Sequence, residues 1–118
     1  MDDTYARKIL FRGKRTDTGE WVYGLPFAYQ AVLDVEGIET WDGEKHRIDP
    51  STVGQYTGLT DKNGNMIFEG DLIVMATSRM HEIKFADGGF FMEGTTIPIR
   101  YVGKFTIAGN RWDNPELI

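Results

Sequence analysis

The chain has 118 residues, 18 acidic against 13 basic side chains, a formal net charge of −5 at pH 7 and no cysteine. That length predicts one domain, or two very small ones, with enough buried surface for one real core. The acidic balance argues against a partner in duplex nucleic acid, which needs a basic face for its phosphates, and the missing cysteines exclude disulfides, thiolate metal sites and thiol catalysis.

In chain order, "MDDTYARKILF" opens on two aspartates and lacks the apolar stretch of a signal peptide. No apolar run reaches the length of a membrane span, so a soluble cytosolic protein with no membrane partner is expected. Residues 7–15 carry Arg7, Lys8, Arg12, Lys14 and Arg15 with no acid among them. "RKILFR" reads as a strand, with Ile9 and Phe11 on one side and Lys8, Leu10 and Arg12 on the other. "TDTGE" turns the chain and "EWVYG" returns it, placing Trp21 and Tyr23 on one face. Residues 7–25 therefore predict a hairpin.

Two further strands are expected near 28–35 and 38–41, with Gly37 and "DGEK" as turns. "DPST" at 49–52 predicts a single helical turn, capped by Asp49 and opened by Pro50. The polar run "DGEKHRIDPST" at 42–52 marks the expected seam between an N-terminal region, 1–50, and a C-terminal region, 51–118. "GQYTGL" and "NMIFEG" then flank Asn63-Gly64, the corner of a predicted type I′ hairpin. "DLIVMA" reads as a fully buried strand. "HEIKFA", "GFFMEG", "IPIRYV" and "KFTIAG" follow as short strands, with "DGG" at 87–89 as a turn. The predicted fold is mainly β with little helix: an N-terminal hairpin and sheet, then a C-terminal SH3-like small barrel.

Several residues could carry chemistry. Asp61-x-Asn63-x-Asn65 begins like a calcium loop, but Met66 and Leu72 stand where that loop needs Gly and Glu. The sequence thus assigns a turn here and calls for no metal or cofactor. Glu69 and Asp71 are two apart and would share a strand face as a carboxylate pair; alternatively Gly70 bends the strand and the acids fasten the bend. His46 and His81 show no metal-pair spacing. No serine-nucleophile elbow or phosphate-binding glycine loop is present, so no catalytic residue is assigned. The hairpin "FRGKRTDTGEWVYG" gathers Arg12, Lys14 and Arg15 near Trp21 and Tyr23. Cations beside aromatic faces suit a nucleotide, with phosphates on the cations and a base on a ring. The reading that large aromatics favour is the other one: the rings are core and the cations a solvated hairpin end. The C-terminal "NRWDNPELI" places Trp112, Leu117 and Ile118 near the end of the chain, and such apolar side chains are expected to pack.

"FRGKRTDTGEWVYG", "STVGQYTGLTDKNGNMIFEGDLIV" and "AGNRWDNPELI" together resemble the YopX family of small bacteriophage and prophage proteins. Residues 28–48 and 76–104 carry none of the resemblance. In the tail, Trp112 and Asp113 stand where Tyr and Glu are more usual. The resemblance implies a β-rich fold and residence in the cytoplasm of a bacterial host. It implies no activity and no catalytic residues.

Three functional expectations follow. The first is a non-enzymatic accessory protein that binds a host bacterial protein, countering defence or redirecting a host process. The second is a homo-oligomer that sequesters a nucleotide-like small molecule through Arg12, Lys14, Arg15, Trp21 and Tyr23. The third is an enzyme or nucleic-acid-processing factor built on Glu69, Asp71 and a histidine. Exposed strand edges predict a homo-oligomer in any case.

Overall fold

The computed structural model describes residues 8–28, 35–76 and 79–118. Among them the chain forms ten strands and three short 3₁₀ turns, and every strand pairing is antiparallel. The protein is mainly β. It divides into two compact units, Met1–Gln55 and Tyr56–Ile118. No helix among the described residues is long and apolar enough to cross a membrane.

In the first unit, β1 (Phe11–Lys14) and β2 (Trp21–Phe27) form the expected hairpin, Arg12 facing Tyr23 and Lys14 facing Trp21. β1 starts later than "RKILFR" suggests. β2 pairs with β3 (Gly37–Glu39), and β3 with β4 (Lys45–Arg47). The strand expected at 28–35 falls largely on residues outside those described. Two expectations need correction. Gly37 lies in a strand, not a turn: a Cβ there would stand 2.4 Å from the His46 carbonyl oxygen and 2.5 Å from the Phe27 ring. β4 occupies what reads as a polar seam, because a strand whose side chains reach solvent needs no apolar residues to keep its ladder. The 3₁₀ turn Pro50–Thr52 forms as expected, the Asp49 carboxylate accepting from the Ser51 N–H at 3.0 Å. Leu10, Ile38 and Ile48 are buried in this unit. Gly54 and Gln55, the first residues of β5 (Gly54–Thr60), pair with β1.

In the second unit the rest of β5 pairs with β6 (Met66–Phe68). Four more strands form a sheet in the order β10-β7-β8-β9: β7 (Asp71–Val74), β8 (His81–Ala86), β9 (Gly89–Met92) and β10 (Thr106–Asn110). Leu72 and Ile73 are fully buried, as the continuous apolar run of β7 predicts. Ile67, Ile73, Ile83, Met92, Val102 and Phe105 form the core cluster. "IPIRYV" is not a strand. Residues Ile99–Lys104 coil into a 3₁₀ turn behind Pro98, which has no N–H to give a ladder. The turn points Val102 inward and delivers Phe105 to the core.

The hairpin corner expected at Asn63-Gly64 forms, but with a different turn type. Residues 61–64 form a turn closed by the Gly64 N–H donating to the Asp61 carbonyl at 3.0 Å. Of Asn63 and Gly64 only the glycine takes positive φ, +83°. This is the three-residue loop with a glycine bulge, not type I′. The type I′ pattern sits at Asp87-Gly88 instead, where both φ values are positive, 52° and 82°, and Ala86 pairs with Gly89.

Candidate functional site

The β1–β2 hairpin brings four of its five predicted site residues onto one face. Arg12, Lys14, Trp21 and Tyr23 share it because facing residues of an antiparallel pair project to the same side. The Arg12 guanidinium lies 4.5 Å from the centroid of the Trp21 ring, and the Lys14 ammonium 5.7 Å from it. Arg12 is buried and Trp21 half-buried. The cations and the ring are thus stacked on one another. Lys14 is further fixed by the capped turn: its N–H donates to the Thr52 hydroxyl at 2.8 Å, and its carbonyl accepts from the Asp49 N–H at 2.9 Å. Arg15 is not part of this face. Its guanidinium makes a two-pronged bond to Asp17, at 2.9 and 2.6 Å. That contact raises the guanidinium above its ordinary pKa and holds the carboxyl below the usual carboxylate range.

The Glu69-Gly70-Asp71 bend is built from backbone contacts. Gly70 has φ +91°, and a Cβ on it would meet the Trp112 ring at 2.3 Å. Its N–H donates to the Ile83 carbonyl at 2.8 Å, and its carbonyl accepts from the Arg111 N–H at 3.0 Å. Asp71 is buried, and its carboxylate accepts from the Phe68 N–H at 2.7 Å. Glu69 is half-buried. Trp112 closes over the bend, so this apolar side chain of the C-terminal segment packs on its own unit, whereas Ile118 is exposed. Among the described residues, no three His, Asp or Glu side chains converge as metal ligands do.

A family model described as YopX protein matches residues 10–118. The chain belongs to the YopX family. That family is found in phage and prophage proteins. The crystal structure of protein EF1440 from Enterococcus faecalis is similar, with a TM-score of 0.66 and 29% sequence identity over 95% of this chain and 99% of that one. No curated protein matches the chain.

Two further features of this YopX-family chain have no counterpart in the sequence analysis, one at the tip of the β3–β4 hairpin and one where β4 runs beside residues 15–17. The first is Trp41, 73% exposed. The tip is ordered by the Thr40 N–H donating to the Glu44 carbonyl at 2.9 Å, by the Thr40 hydroxyl donating to the Asp42 carboxylate, and by the Glu44 N–H donating to Asp42 at 3.2 Å. The Thr40 hydroxyl, then the Glu44 N–H, lower the Asp42 pKa and keep it ionised. The second is a shallow groove of about 290 Å³ lined by Arg15, Thr16, Asp17, Lys45, His46 and Arg47. The Thr16 N–H donates to the Arg47 carbonyl at 3.2 Å, and Arg15 bridges to Ile48, so the two segments run side by side. The signal for the first was a tryptophan directly before an Asp-Gly turn. The second had no local signal, since its residues are some thirty positions apart.

Proposed function

We propose that this chain is a phage-encoded, non-enzymatic accessory protein of the bacterial cytoplasm that binds a host protein and so counteracts a defence or redirects a host process. The observation that carries the reading is Trp41. A tryptophan that is 73% exposed on a hydrogen-bonded hairpin tip costs little entropy to dock and offers a large area to desolvate. The ionised Asp42 and exposed Glu44 beside it suit a basic partner surface. The carboxylates of Asp61 and Asp71 accept from backbone N–H groups, which supports a structural use of these acids. The stacking of Arg12 and Lys14 on Trp21 likewise supports a structural use of that ring. An SH3-like reading of the second unit is supported by its meander and by the 3₁₀ turn before its last strand. Self-association through strand edges is part of the same proposal, and sedimentation showing a monomer at every concentration rejects it.

The test is capture from a lysate of the host bacterium. The wild-type chain retains a specific protein, raised salt releases it, and Trp41→Ala loses it while circular dichroism stays unchanged. Equal capture by Trp41→Ala removes Trp41 from the interface and with it this reading.

A further inference from the structure

We propose that the outer edge of β9 pairs with the β9 of a second copy of this chain, joining their four-stranded sheets into one. The proposal rests on the self-association reading and names the strand that carries it. The two sheets of the chain end in four edge strands, β4, β6, β9 and β10. An uncovered edge offers a row of free ladder groups to any passing strand. Three of these edges have a backbone group engaged from outside the ladder. On β4 the Arg47 carbonyl accepts from the Thr16 N–H at 3.2 Å. On β6 the Phe68 N–H donates to the Asp71 carboxylate at 2.7 Å. On β10 the Ile107 N–H donates to Asp61 at 3.1 Å, and the Asn110 carbonyl accepts from the Asn114 N–H at 2.8 Å.

β9 has no such cover among the described residues. The Glu93 N–H donates to the Glu82 carbonyl at 2.9 Å, which sets the phase of the β8–β9 ladder. Gly89, Phe91 and Glu93 therefore turn their N–H and C=O toward β8, and Phe90 and Met92 turn theirs outward. Among the described residues, no hydrogen bond to another segment takes the N–H of Phe90 or Met92. Backbone donors in native proteins find a partner, so these two are left to water or to another strand. The strand itself, Gly-Phe-Phe-Met, carries neither charge nor proline, the usual guards of an edge. Phe91 is 39% exposed on one face of the sheet; on the other, Phe85, 49% exposed, packs edge-on against Phe90 with centroids 5.0 Å apart.

A strand without charge selects another without charge, and the chain supplies its own. Antiparallel pairing centred on Phe91 sets Phe90 opposite the partner's Met92, and Met92 opposite the partner's Phe90. Each pair exchanges both of its N–H···O bonds, because these are the residues whose groups point outward. Phe91 then lies opposite the partner's Phe91 at the closely spaced position of the ladder, where facing aromatic rings meet. Glu93 keeps its ion pair with Lys84 and falls opposite the partner's Gly89, so no two carboxylates face each other. The contact is the same on both copies, so it closes as a dimer and does not propagate.

Sedimentation equilibrium tests the interface, with the mass expected to rise with concentration from 13.4 kDa toward twice that value. Phe91→Lys sets like charges across the two-fold axis and is expected to stay at monomer mass with unchanged circular dichroism, and Phe91→Glu to do the same. An equimolar mixture of the two is expected to recover the dimer, since the facing charges are then opposite; a misfolded variant could not be rescued in this way. The chain has no cysteine, so Phe91→Cys supplies a single thiol. Diamide is expected to join two copies through it, as the close approach of the facing residues allows, and to leave Arg47→Cys, at an exposed position of β4, unjoined. Dimerisation of Phe91→Lys equal to the parent's overturns the β9 assignment and leaves self-association through another edge standing. A Lys–Glu mixture that stays monomeric, or equal cross-linking of the two cysteine variants, overturns it as well. A parent that is monomeric at every concentration overturns self-association itself, while capture of a host protein through Trp41 is read separately.

Discussion

Asp61 shows how much a single side chain can organise. One carboxylate oxygen accepts from the N–H groups of Asn63 and Asn65, both at 2.9 Å; the other accepts from the Ile107 N–H at 3.1 Å. The residue is buried, and burial alone would raise its pKa. The N–H donors of Ile107, Asn65 and Asn63 outweigh that, so the carboxyl is held below its ordinary value. Stability from this group is thus complete above the unfolded carboxylate value and is lost as pH falls through the lower folded value. Asp61→Ala leaves three backbone donors without their acceptor and is expected to cost about 2–4 kcal/mol in urea unfolding. Asp61→Asn is expected to cost less and to flatten the acid limb of the stability–pH curve. Gly70 is the second sensitive position. Gly70→Ala adds a Cβ against the Trp112 ring at a φ of +91°, and about 2–4 kcal/mol of destabilisation is expected. Adding Trp112→Leu should return part of that loss and no more, because the backbone strain remains.

At the scale of elements, the corners separate two mechanisms that the sequence writes alike. Asn-Gly at 63–64 and Asp-Gly at 87–88 both read as hairpin turns, and both are. Of these four corner residues, Asp87 alone combines a side chain with positive φ. Asp87→Ala is therefore expected to lower stability by about 1 kcal/mol, whereas Asn63→Ala is expected to change it by less than about half that, by thermal or urea unfolding. What was legible in the sequence follows the same logic. The β1–β2 hairpin, the Asp49 cap and buried β7 depend on local pattern, and local pattern gave them. β4 did not show itself because "KHR" owes its strand state to pairing with β3 and not to its own propensity. "IPIRYV" alternates like a strand, but Pro98 and the burial of Val102 and Phe105 favour a coiled turn. The candidate site was half legible. Register placed Arg12, Lys14, Trp21 and Tyr23 together, whereas the engagement of Arg15 with Asp17, and its place in a groove with Lys45 and Arg47, depend on contacts no spacing encodes.

At the scale of the molecule, the two units hold unequal cores. The described part of Met1–Gln55 buries Leu10, Ile38 and Ile48, while Tyr56–Ile118 buries a cluster of six apolar side chains. Small domains need a sufficient apolar interior to offset chain entropy. A fragment of residues 56–118 is therefore expected to keep dispersed amide resonances in solution, and a fragment of residues 1–55 to lose them. A 56–118 fragment with collapsed dispersion would show that its cluster is too small to stand alone. The three tryptophans divide as unevenly as the cores: Trp21 lies under a guanidinium, Trp112 is pressed on a glycine and Trp41 stands in solvent. Nature has thereby fitted the hairpin tip with its own optical probe. Iodide should extinguish the red-shifted emission of Trp41 ahead of the other two, and any molecule that covers the tip should shield that light and move it toward the blue.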